Sequence, residues 1–118
     1  MGRIQFIAYK DKRILLADLT NCSGDEVAAV ANELPEFVTL EPLDSVLLLA
    51  DFSGAQFSRE SVERVKIAAV FDRSHLKRAA WVLTENLPTA LYDSIRSFSA
   101  REIPVFATRD EALDYLVS

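Results

Sequence analysis

SVLLLADFSGAQFSRES, residues 45–61, decides the fold, because it changes character three times within its length. It opens on the apolar run 46–50, of the kind that suits a strand covered on both faces. The run breaks at Asp51-Phe52-Ser53-Gly54 and restarts as a helix capped by Ser58, with Glu60 and Glu63 near its positive end. A strand, a small polar turn and a helix N-terminus in succession mark the place where open α/β sheets put their sites. A single glycine makes this turn a weak phosphate cradle, so the stretch locates a site without declaring a chemistry.

Working outward, residues 3–9 (RIQFIAY) and 12–19 (KRILLADL) are β-rich runs separated by Lys10-Asp11, a break that suits a hairpin. The first run is expected to be an antiparallel edge strand, its Arg3, Gln5 and Lys10 discouraging pairing with other molecules. Ser23 and Glu26 form a capping box, and Val27, Val30, Ala31 and Leu34 draw one apolar helix face behind it. Pro35 is expected to kink or split this helix, since proline lacks an N–H and clashes with the preceding turn; Phe37 and Val38 continue the face to about Thr39, and Pro42 ends it.

Downstream, the Ser58 helix is expected to reach about Asp72, with Val62, Val65 and Ala69 facing inward. Ile67, Val70 and Phe71 fall largely outside that face. They are covered by another helix of the same domain, or paired in a homodimer, or form a membrane or lipid contact. Residues 75–84 (HLKRAAWVLT) read as strand, Trp81 as core, and Leu87, Leu91, Ile95 and Phe98 as a helix with Pro88 in its first turn. A short strand over 103–107 precedes a second capping box, Thr108 to Glu111, and a helix that turns Ala112, Leu113 and Leu116 inward. The order β-β-α-β-α-β-α-β-α predicts an α/β fold: a mixed five-stranded sheet, parallel except for its antiparallel N-terminal edge strand, with about four helices.

Composition narrows the function. The chain has 118 residues, half of them apolar, which fits one domain over 1–118. Its net charge of −5 and scattered Lys and Arg remove the electrostatic basis for nucleic-acid binding. One cysteine, Cys22, excludes an intrachain disulfide framework; it reads as a small buried residue, although its place before a helix can lower a thiol pKa. The N-terminus has no signal-peptide pattern, and the longest apolar runs, about five residues, fall far short of the roughly 20 that a membrane helix needs. A cytoplasmic protein is expected. The lone His75 has no identifiable nucleophile partner, and G-x-S-x-G, P-loop, G-x-G-x-x-G and H-E-x-x-H patterns do not occur. Topology brings Asp18, Thr20 and Asn21, Asp51 and Ser53, Thr84 and Asn86, and Thr108 to the carboxyl edge of the sheet. Asp18 and Asp51 could bind a cation or raise each other's pKa; alternatively these residues cap loops and helix starts.

The hairpin opening, the turn Asp51-Phe52-Ser53-Gly54-Ala55-Gln56-Phe57, the stretch Ser99-Ala100-Arg101-Glu102-Ile103-Pro104-Val105-Phe106 and the following Glu111-Ala112-Leu113-Asp114-Tyr115-Leu116 resemble the SpoIIAA-like proteins. These are single-domain bacterial relatives of the STAS domain, grouped with the SEC14-like fold. The resemblance covers nearly the whole length and rests on turn and packing signatures. It implies a small α/β domain without enzymatic activity or cofactor, working as a binding or regulatory module. Its SEC14-like side implies a lipophilic ligand or a reversible association with a membrane surface, with Ile67, Val70 and Phe71 as the contact. Its STAS side implies partner switching with a kinase, through a serine in an Asp-Ser-Ser-Gly motif. Laid over this sequence, the motif falls on Arg59-Glu60-Ser61-Val62, where only Ser61 matches, with Ser58 the neighbouring hydroxyl.

Overall fold

A computed structural model describes residues 3–72, 74–83 and 104–118, with the backbone alone described for 69–72. Strands β1 (Ile4–Tyr9) and β2 (Lys12–Asp18) form the expected hairpin. Lys10 and Asp11 both adopt positive φ, 48° and 64°, which matches the twist of a tight two-residue reversal. Next come α1 (Gly24–Val38), β3 (Val46–Asp51), α2 (Arg59–Asp72), β4 (Leu76–Val82), β5 (Val105–Phe106) and α3 (Arg109–Val117). The sheet order is β1-β2-β3-β4-β5, with β1 antiparallel at one edge and every other pairing parallel. The expected helix around Leu87 to Phe98 lies outside the described residues, among which there are three helices.

Alternation along the central strands divides the core into two layers. Leu15, Ala17, Leu48, Ala50, Ala79 and Trp81 face α1 and α2. Ile14, Leu16, Leu47, Leu49, Ala80 and Val82 face α3 through Ala112, Leu113 and Leu116. Every residue of β3 is buried, which is why its sequence shows a continuous apolar run instead of alternation. Trp81 is core, 4% exposed, with its ring edge-on to Phe52 at 4.9 Å between centroids.

Four local expectations need correction. Pro35 does not split α1, which runs unbroken from Gly24 to Val38. Buried Leu34 and Val38 hold the chain on the sheet across the missing bond, and the Pro35 carbonyl accepts from both the Thr39 amide (2.9 Å) and the Thr39 hydroxyl (2.6 Å). The buried stripe of α2 is Ser61, Val65 and Ala68, whereas Val62 is only partly buried and the Ala69 side chain lies outside the described set. Its face is turned slightly from the expected one, because a small hydrogen-bonded serine can be buried where the pattern of large residues pointed to valine. The Thr108 box is one-sided: Thr108 Oγ1 accepts from the Glu111 amide, but the Glu111 carboxylate accepts from the Thr108 hydroxyl and not from the cap's backbone N–H. The last strand is shorter than expected, covering only Val105–Phe106. By contrast, the Ser23 box is reciprocal, with both bonds formed.

Candidate functional site

At the carboxyl edge of the sheet, β2 and β3 end side by side on Asp18 and Asp51, which are register partners. Strand parity sends both side chains toward the α3 layer, so two like charges meet at adjacent strand ends. Arg109, the first residue of α3, lies between them. Its Nε donates to Asp51 Oδ2 at 2.5 Å and its Nη2 lies 3.3 Å from Asp18 Oδ1. Asp51 is only 3% exposed, and its other oxygen accepts from the Ser53 amide at 3.0 Å. Asp18 Oδ1 accepts from the Thr20 hydroxyl (2.6 Å) and the Thr20 amide (3.1 Å). Burial pushes the Asp18 carboxyl up, but the Thr20 donors and the Arg109 guanidinium outweigh that and hold it below the usual aspartate range.

The two aspartates that the sequence brought to this edge are therefore together, with a guanidinium where a cation was an alternative. Arg109 is the member that sequence reasoning missed. A helix N-terminus is a poor place for a positive charge, and that mismatch was the available signal. Asn21 and Ser53 serve the same edge structurally. Asn21 holds a left-handed conformation, φ 57°, and its amide donates to the Ser53 carbonyl at 2.9 Å. Gly54, at φ 71°, closes against it: a Cβ there would sit 2.3 Å from Asn21 Oδ1. Gln56 donates to the Cys22 carbonyl, tying the two loops a second time. Thr108 caps α3 beside this edge, whereas Thr84 and Asn86 lie outside the described residues. Cys22 is fully buried below the loops, and burial pushes its thiol up, away from reactivity. His75, at the opposite edge, places Nδ1 2.8 Å from the Glu41 carbonyl and fastens the α1–β3 loop.

The first turn of α2 holds the serines. Ser61 Oγ accepts from the Ser58 amide at 2.7 Å and donates to the Ser58 carbonyl, while Ser58 Oγ accepts from the Ser61 amide at 3.1 Å. This is a reciprocal cap in which Ser61 takes the role a glutamate fills in a capping box. Ser61 is 0% exposed; Ser58 is exposed but packs against Gly24. Gly24 is hemmed in, since a Cβ there would lie 3.0 Å from Ser58.

Further along the same layer, α1 and α2 leave a groove of about 380 Å³ between them. Ala31 and Ala68 form its floor, Pro35 and Ile67 its apolar shoulders, and Asn32, Glu36 and Arg64 its polar rim. Ile67 is 45% exposed there; the side chains of Val70 and Phe71 lie outside the described set. Leu40 and Leu43, both strongly exposed, follow directly on α1 in the loop to β3. Sequence reasoning reached Ile67 but not the groove, because the opposite wall comes from another helix.

No family model and no curated protein matches the sequence. Among solved structures, the chain is similar to an uncharacterised protein of the DUF3478 family from Shewanella loihica, described as having a SpoIIAA-like fold. The TM-score is 0.71 at 16% identity, with 96% of this chain and 91% of that chain covered. The fold is SpoIIAA-like. The hairpin edge, the parallel strands that follow it and the helices on both faces make up that fold, as the resemblance in sequence implied. Among the described residues, no helix is long and apolar enough to cross a membrane.

Proposed function

We propose that the chain is a non-enzymatic binding module that takes a lipophilic ligand, or lies against a lipid surface, through the face built by α1 and α2. The observation that supports this reading is the open groove with Ala31 and Ala68 beneath and Ile67 on its shoulder. Covering the exposed part of Ile67, which is 45% exposed, is worth about 2 kcal/mol, from roughly 25 cal/mol per Å² of apolar surface. The net charge of −5 favours a neutral lipophile or a zwitterionic surface over an anionic bilayer. The non-enzymatic part draws support from the carboxyl edge, where Asp18 and Asp51 are engaged by Arg109, Thr20 and Ser53 in the manner of a strut.

Native mass spectrometry of freshly purified protein and flotation with phosphatidylcholine vesicles test this reading. The expected result is a bound lipophile or vesicle association that is reduced several-fold in Ile67→Asp. If neither is seen with the unmodified chain, the ligand reading is wrong. The serine-regulated alternative has a narrower opening: a kinase reaches Ser61 only if the first turn of α2 opens, which leaves Ser58 as the accessible hydroxyl. Phosphate found on either serine in a phosphopeptide map would turn the reading toward partner switching.

A further inference from the structure

We infer that the α1–α2 groove is closed by a second copy of this chain, related by a two-fold axis running along the groove. The inference deepens the binding reading above, because the groove alone leaves one side open, whereas bound ligands bury roughly 70–90% of their surface. Its charge pattern selects the occupant. Glu36 stands on the α1 wall and Arg64 on the α2 wall, both exposed, and among the described residues neither forms an ion pair. A partner of arbitrary chemistry has no reason to find one acidic and one basic wall around an apolar floor. A second copy does: a two-fold interface must be self-complementary, each patch meeting its own complement.

The axis along the groove lays α1 of each copy over α2 of the other. Each Glu36 then meets the Arg64 of the second copy, and Pro35 and Ile67 from both copies meet over the Ala31 and Ala68 floor. The apolar shoulders supply the burial and the two charge pairs set the register. The exposed Ile67, unremarkable alone, becomes the centre of a contact that each copy completes for the other.

The test uses the full chain and two charge reversals, Glu36→Arg and Arg64→Glu, each at an exposed position. Sedimentation equilibrium of the unmodified protein is expected to show a reversible dimer that weakens with salt. Each reversal places like charges at both contacts and is expected to weaken dimerisation at least about tenfold, a change of about 1.4 kcal/mol. Mixing the two variants restores opposite charges at both contacts, so a heterodimer of near-original affinity is expected, identified by its mass. That recovery also shows that both variants are folded. A monomeric unmodified chain, reversals that dimerise as before, or a mixture without heterodimer overturns the inference. Bound lipophile is read separately in the same spectra: a dimer without it leaves this inference standing and sinks the ligand reading, and a liganded monomer does the opposite.

Discussion

Replacing Arg109 with alanine tests whether the carboxyl edge is held by its charge pairs. The Asp51 side chain is nearly all buried, and among the described residues its carboxylate has two protein donors, Arg109 Nε at 2.5 Å and the Ser53 amide at 3.0 Å. Removing one partner of a buried pair costs about 3–5 kcal/mol, because the remaining charge loses its compensation. Arg109 is itself 38% exposed, so water enters where it leaves and the loss falls at the lower end, about 3 kcal/mol. Relieving a positive charge at a helix N-terminus returns a few tenths of a kcal/mol and does not change the sign. Asp51→Asn alone is milder. Its amide oxygen can still accept from Ser53, and Arg109 keeps Asp18 and solvent, so about 1 kcal/mol is lost. Combining the two removes the orphaned charge, and the double variant is expected to be more stable than Arg109→Ala by about 1 kcal/mol. Urea unfolding followed by the single, buried Trp81 reads these differences directly. At about 4 °C per kcal/mol for a domain of this size, the thermal midpoints should fall in the same order. Strictly additive losses, or an Arg109→Ala variant within 0.5 kcal/mol of the unmodified chain on this roughly 3 kcal/mol scale, would refute the reasoning.

Two further outcomes follow from the loops around that edge. Gly54→Ala is expected to lose about 2 kcal/mol, because φ 71° disfavours an L side chain and its Cβ would press on Asn21; an unchanged urea midpoint would show that the β3–α2 turn has room to shift. The lowered pKa of Asp18 contributes stability that is present above its unfolded value of about 3.9 and lost as pH falls through the lower folded value. Thr20→Val, which removes the hydroxyl donor, should therefore flatten the acid limb of a stability profile between neutral pH and about pH 3, and identical limbs would assign the acid sensitivity to other carboxylates.

Much of the fold was legible because its signals are local. Lys10-Asp11, the Ser23 to Glu26 box and the fully apolar 46–50 run are each decided by near neighbours in the chain, so the hairpin, α1 and the central strand could be placed from composition and spacing. The candidate site was legible by half. Strand ends in a parallel sheet share an edge, which brought Asp18 and Asp51 together; their guanidinium partner comes from 58 residues beyond Asp51, and no periodicity links the two. Pro35 shows the opposite failure, a strong local rule overridden by packing on either side of it.

SVLLLADFSGAQFSRES by itself determined a buried strand, a polar turn and a capped helix, since alternation, turn chemistry and capping act over a few residues. Only the tertiary structure decided that Ser61 is sealed inside its own cap, that Arg109 joins the two aspartates, and that Ile67 borders a groove. The Arg109 bridge and the groove depend on the distances between chain segments far apart in sequence, and the burial of Ser61 on how α2 packs. Those distances are set by how the helices settle on the two faces of the sheet, which no single stretch encodes.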